Sequence, residues 1–398
     1  MIEYISNRPS IHVRNLCMKG AGWRTIFPLN EENCHFFFSS RYAMAAGISA
    51  LDIGVDDVVL VPSYNCGTEI DPMLHLGIKP VFYEVGKNLL PNLADLLKKI
   101  TGRVRGIMIT HFLGFPQPVE EIKEICAERN LFLIEDCAHA FLSMFKGRFL
   151  GSYGDIAFYS LLKTLPVPNG GVLLINNVNI RHQHNPKRVS LFPTIYSVGE
   201  LLKYRTWSVN YSAKEKMLRR MGDSLFLSLT AARLFLIGIR KILKINGLFL
   251  VRPDSYQFRE DLQSWGISGL AKRIIGGVNF GEIKERRRTN FEYYLKYFLE
   301  HIRGTLPFKE LPSGVCPLLF PLIVESAKKR EKIYGILKSK GIITHPWWNK
   351  FHSIVPWHDF PEAVYLKDRL LGLPIHQDLT LKHLERVIEE FENAYKTD

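Results

Sequence analysis

Between residues 36 and 180, short apolar runs alternate with amphipathic stretches, and this alternation constrains the fold more than any other feature of the chain. The runs at 58–62, 81–85, 106–109, 131–135, 156–160 and 171–175 are too short for globular helices and read as strands. The stretches at 42–51, 68–76, 93–100 and 119–130 carry helical spacing. Strand–helix alternation predicts an α/β protein with a large, mostly parallel sheet covered by helices on both faces. Past residue 256 the pattern changes. Helices at 282–302, 327–340 and 380–395 flank a strand at 318–324, as expected of a smaller C-terminal α/β domain. The expected division is a large domain over 1–199, a basic, apolar helical insertion over 200–255, and the small domain over 256–398.

The apolar run at 131–135 leads into Asp136, within Leu133-Ile134-Glu135-Asp136-Cys137-Ala138-His139. A carboxylate there emerges at the carboxyl edge of a strand, where open α/β sheets bind ligands. Lys163 follows 27 residues later, after a second apolar stretch and before Asn169-Gly170-Gly171. A lysine among strands and turns with few acids nearby is a candidate for Schiff-base chemistry. Pyridoxal 5′-phosphate requires this pair: an amine to hold its aldehyde, and a carboxylate to keep its pyridine nitrogen protonated. Spacing alone leaves open a salt-bridged surface lysine and a helix-capping aspartate.

The surrounding motifs narrow the choice. The chain resembles the DegT/StrS-type sugar aminotransferases, a branch of the fold-type I pyridoxal phosphate enzymes. The resemblance rests on Glu135-Asp136-Cys137-Ala138-His139, Gly154-Asp155, Ser160, Lys163 and Asn169-Gly170-Gly171. Upstream it continues through Ser39-Ser40-Arg41, Val61-Pro62-Ser63-Tyr64-Asn65, Gly77-Ile78-Lys79-Pro80 and Thr110-His111-Phe112-Leu113-Gly114. It covers residues 36–180 well, the C-terminal third loosely and the 200–255 stretch hardly at all.

The resemblance implies that Lys163 carries the cofactor and shuttles the proton, while Asp136 pairs with the pyridine nitrogen. It implies that His139 packs by the ring and its phenolic oxygen, with a buried structural histidine as the alternative. Ser40 and Arg41 open a helix whose free N–H groups suit a phosphate, and Ser160 matches a phosphate-contacting serine. Cys66, or its neighbour Tyr64, would cover the open face of the ring. The implied reaction is amino transfer, with glutamate as donor, to a nucleotide-linked keto sugar of aminosugar or surface polysaccharide synthesis. The implied assembly is a homodimer. Sugar dehydratases in the family replace the lysine with histidine, so Lys163 favours transamination. A catalytically silent protein recruited to a membrane assembly is the remaining alternative.

The net charge of +13 is unevenly placed. Eleven basic residues lie between Lys203 and Arg252, against Glu215 and Asp223 alone. No helix-turn-helix, zinc-finger or RNA-recognition signature accompanies them, so nucleic acid is not an expected partner. Within the insertion, Arg233, Arg240, Lys241 and Lys244 interrupt an apolar stretch and cluster on one helical face. Such a helix packs on its own domain or a second subunit, or else lies in an anionic membrane interface as a peripheral contact. The six cysteines show no metal-ligand spacing, so no metal is expected. The opening residues lack a secretory leader's basic and apolar regions, and a cytoplasmic protein is expected.

Overall fold

The computed structural model describes residues 4–11, 23–189, 258–301 and 305–396, with Thr194, Met217, Met221, Ser224 and Ser228 between them. The expected 200–255 insertion, those four last positions apart, lies outside the described residues.

Among the described residues, nine strands fall in the first half of the chain: β1 (Cys34–Phe37), β2 (Val58–Pro62), β3 (Lys79–Tyr83), β4 (Val104–Thr110), β5 (Phe132–Asp136), β6 (Met144–Phe145), β7 (Arg148–Phe149), β8 (Ile156–Ser160) and β9 (Gly171–Ile175). Seven of them form one sheet in the order β1-β9-β8-β5-β4-β2-β3, and β6 and β7 make a separate hairpin. Strands β2, β3, β4, β5 and β8 run parallel, whereas β9 is antiparallel to both β8 and β1. Strands β5, β8 and β9 are buried at nearly every position, as a sheet covered on both faces requires.

The expected mostly parallel sheet is present, and the periodic stretches form helices Ser40–Ala50, Ile70–His75, Leu93–Lys98 and Val119–Arg129. Strand β3 sits two residues earlier than the 81–85 run predicts. Val85 instead bridges Pro91 in the loop that follows. Strand β1 was not legible as a strand, because an edge strand of four residues has too little pattern to stand out.

The reversed strand β9 decides where Lys163 goes. A parallel partner for β8 would need a crossover of a dozen or more residues, but an antiparallel one can be reached by a short return. Residues 161–170 make that return at the carboxyl edge of the sheet. Lys163 lies in the one-turn helix Leu161–Thr164, ended by Pro166 and Pro168, rather than in an open loop.

The C-terminal part carries β10 (Leu319–Ile323), β11 (His345–Pro346) and β12 (Leu370–Pro374) in an antiparallel sheet ordered β10-β12-β11. Helices Phe280–His301, Ala327–Ser339 and Leu381–Lys396 correspond to the three expected there. One core joins the two sheets, running from Leu60 and Ile107 to Phe291, Phe320 and Leu371.

Candidate active site

Strand alternation places the paired acids Glu135 and Asp136 on opposite faces of the large sheet. Glu135 is fully buried and saturated: its carboxylate accepts from Gly151, Tyr153 and Gly154 N–H at 2.8, 2.7 and 2.6 Å and contacts His111 Nε2 at 2.9 Å. Although His111, Glu135 and Cys137 stand close enough for a metal, the bonds to Glu135 already occupy it, and Gln117 N–H donates to His111 Nδ1 at 3.1 Å. This cluster is a structural brace.

Asp136 faces the other way, into a pocket of about 580 Å³ at the carboxyl edge of the sheet. It is only 6 % exposed. Ala138 N–H donates to Oδ1 at 2.9 Å, and the Thr110 hydroxyl reaches Oδ2 at 3.4 Å. Burial, with the nearby Glu69 carboxylate, raises its pKa to about 7, against the lowering effect of Lys163. The site thus holds a carboxylate short of positive charge.

Lys163 lines the same pocket, half-buried, and its charge acts on Asp136, Cys66, His139 and His345. Among the described residues it makes no ion pair or hydrogen bond, so its amine is available to a group bound in the pocket.

The start of helix Ser40–Ala50 borders the same pocket, with Ser39, Ser40, Arg41 and Ser160 in its lining. Ser39 is the N-cap residue, yet its side chain caps nothing, which leaves first-turn donors open to a ligand. Gly171 allows the close approach here. A Cβ on it would lie 2.2 Å from the Ser39 carbonyl carbon and 2.4 Å from Ser40 N. Gly170, at φ +146°, turns the chain into that contact.

Six of the eight residues expected from sequence line this pocket: Lys163, Asp136, Ser40, Arg41, Ser160 and Cys66. Tyr64 and His139 stand behind the wall. Tyr64 is fully buried and donates its hydroxyl to the Trp347 carbonyl at 2.7 Å. Of the two residues considered for the ring face, it is Cys66 that lines the pocket. Its thiol donates to Glu69 at 2.8 Å, and burial pushes its pKa up to about 12, so it is a packing group rather than a nucleophile. His139 accepts from Leu113 N–H on Nδ1 at 3.4 Å, and its rings of contact are Trp347 and Trp348, both of which line the pocket. Burial and the Lys163 charge hold it neutral, and its buried Nε2 has no partner among the described residues.

Several wall residues were not expected from sequence. Glu69 is a buried acid beside Cys66. Trp347 and Trp348 form an adjacent aromatic pair whose only sequence signal was the doublet itself. Asn169 was named from sequence only as part of the segment before the glycine pair, with no role. It is 1 % exposed; its Oδ1 accepts from Ser268 N–H at 2.9 Å, and its Nδ2 is buried without a partner among the described residues.

A family model described as the DegT/DnrJ/EryC1/StrS aminotransferase family matches residues 30–189 and 278–392, which is most of the chain. The chain belongs to that family. A GDP-perosamine synthase of Escherichia coli O157:H7 is 34% identical over 138 residues, covering 34% of this chain and 38% of that protein. A dTDP-4-dehydro-2,3,6-trideoxy-D-glucose 4-aminotransferase of Saccharopolyspora spinosa is 24% identical over 375 residues, 92% of this chain and 85% of that one. Among solved structures, the pyridoxal phosphate form of a putative sugar aminotransferase, Spr1654 of Streptococcus pneumoniae, superposes with a TM-score of 0.67 at 15% identity, covering 99% of each chain. The aminotransferase TlmJ of Streptoalloteichus hindustanus gives 0.65 at 20% identity, over 99% of this chain and 98% of that one. These likenesses establish the fold, which is that of the fold-type I expectation.

The residues present fit pyridoxal 5′-phosphate. An electron-poor ring nitrogen would meet Asp136, and a phosphate would meet the Ser39–Arg41 turn. Among the described residues, Asn169 Nδ2 and Trp347 Nε1 are buried nitrogens without a partner on residues that line this pocket, and both are donors that such a polar group can satisfy.

Proposed function

We propose that the protein is a pyridoxal 5′-phosphate-dependent aminotransferase that moves the amino group of glutamate onto a nucleotide-linked keto sugar. The observation that carries this reading is the convergence of an unpaired lysine and a charge-starved buried carboxylate on one pocket, in a chain of this family. The nucleotide-linked acceptor is supported by relatives named for GDP- and dTDP-sugar chemistry.

When bound, the cofactor supplies an aldehyde for amines and a ring that draws electrons from the carbon bearing the amine. The chain's own groups do the rest. Lys163 offers the amine that holds the aldehyde and, once displaced, takes and returns the proton at the reacting carbon. Asp136 keeps the ring nitrogen protonated, and the positive charge it gains there offsets its own burial. The Ser39–Arg41 turn and Ser160 hold the phosphate, while Cys66 and the Trp347–Trp348 pair wall the ring space against water. Borohydride reduction followed by peptide mapping is expected to place the label on Lys163. A label on another lysine would sink the assignment.

We further place the enzyme in the cytoplasm as a homodimer serving surface polysaccharide or aminosugar synthesis. The division into 1–199, 200–255 and 256–398 stands as part of this proposal, supported by the separate antiparallel sheet of the C-terminal part. Among the described residues no helix is long and apolar enough to cross a membrane. The basic 203–252 stretch is either a packing helix or a peripheral contact to anionic membrane. Sedimentation with anionic vesicles at low and high salt separates the two, because only the contact weakens with salt.

A further inference from the structure

The N-terminal segment, residues 4–11, belongs to neither sheet but is tied firmly to the C-terminal part. Ile5 N–H donates to the Gly341 carbonyl at 2.9 Å, and Ile343 N–H donates to the Ile5 carbonyl at 2.9 Å. Ser6 O accepts from His376 Nε2 at 3.0 Å, and Ser10 N–H donates to the Asp378 carboxylate at 2.5 Å. These bonds lay Tyr4, Asn7 and Arg8 along the pocket wall, on the side of helix Ala327–Ser339, which contributes Tyr334 and Lys338.

Arg8 and Lys338 are both exposed, and among the described residues neither has an ion-pair partner. The Lys338 ammonium lies 5.7 Å from the centre of the Tyr334 ring. Among the described residues, the only acids on the wall, Glu69 and Asp136, are 4 % and 6 % exposed. The mouth is therefore cationic and the acids are deep. His345 lines the same pocket, within electrostatic reach of both Arg8 and Lys163. Burial first, and then those two cations, bring its pKa down to about 4, so it is a neutral imidazole able to bond a hydroxyl.

We propose that Arg8 and Lys338 form an anion clamp at the pocket mouth that takes the diphosphate of a nucleoside diphosphate sugar, leaving the sugar to lie past His345 with its reacting carbon at Lys163. This rests on the nucleotide-sugar reading above and adds the place where the nucleotide is held. A planar guanidinium with no internal partner binds phosphate oxygens in pairs, and an ammonium beside it adds a point charge. Unpaired cations at an open rim also draw an anionic substrate toward the site.

The test is calorimetric titration of the cofactor-loaded protein with GDP, dTDP and the matching nucleosides, for the wild type and for Arg8→Ala, Lys338→Ala and the double variant. The same proteins are mixed with glutamate while the cofactor's absorbance is followed. Each single change is expected to weaken diphosphate binding about tenfold, and the double change about a hundredfold, with nucleoside binding unmoved. Wild-type affinity for the diphosphates is expected to fall with salt more steeply than that of the double variant. If the double variant binds GDP and dTDP as tightly as the wild type, the clamp is wrong and the nucleotide-sugar reading survives. If the wild type binds neither diphosphate, both fall. A loss confined to the glutamate reaction also overturns the clamp, and assigns Arg8 to the donor's carboxylate.

Discussion

Replacing Asp136 with asparagine should make the cofactor-free protein more stable and the enzyme nearly inactive, and the stability gain should depend on pH. In the folded protein the Asp136 pKa is raised from 3.8 to about 7, chiefly by burial and next by Glu69. A raised folded pKa means that the native state holds this proton where the unfolded chain has lost it. Stability is therefore greatest at low pH, falls as pH rises from about 4 to about 7, and is level above that. At about 1.4 kcal/mol per pKa unit, the fall between pH 5 and pH 8 is about 3 kcal/mol. Asparagine resembles the protonated acid, keeps an oxygen for the Ala138 N–H, and does not titrate. Urea unfolding of both cofactor-free proteins at pH 5 and pH 8 gives the comparison. The advantage of Asp136→Asn over wild type should grow by about 3 kcal/mol between the two pH values. Bound pyridoxal phosphate should shrink that growth, because a protonated ring nitrogen supplies the charge that Asp136 lacks. An advantage that is equal at both pH values, or larger at pH 5, would refute the burial argument.

Other outcomes follow from the same geometry. Lys163→Ala should abolish turnover while the fold persists, read from single-turnover assays beside a melting curve. Asn169→Asp keeps the acceptor for Ser268 N–H but removes the buried donor, so pyridoxal phosphate should bind about tenfold or more weakly in an absorbance titration. Lys367→Met should cost about 2–4 kcal/mol in urea unfolding, because the buried Lys367 ammonium ties together the carbonyls of Asn65, Trp348 and Lys350 at 2.6, 3.1 and 2.7 Å. Light scattering at micromolar concentration should give a dimer; a fully active monomer would contradict the homodimer reading.

The sequence by itself determined the parts whose signal is local. Burial on both faces makes β5, β8 and β9 mostly apolar runs, and helices facing a sheet repeat their apolar residues at helical spacing, so both could be read from short windows. The acid that ends β5 and the lysine before Gly170-Gly171 were legible for the same reason, since each lies within a few residues of the pattern that gives it meaning. Only the tertiary structure decided what depends on chain segments meeting across long separations. It showed that Glu135 faces a brace while Asp136 faces the pocket, and that Cys66 lines the wall with Tyr64 behind it. It brought Trp347, Trp348 and Arg8 to a site built mostly from residues 38–169. Periodicity in a sequence records which residues are buried, but it carries no information on which distant segment buries them. That pairing was settled by the reversed β9, by the short return that carries Lys163, and by the strap of backbone bonds that holds residues 4–11.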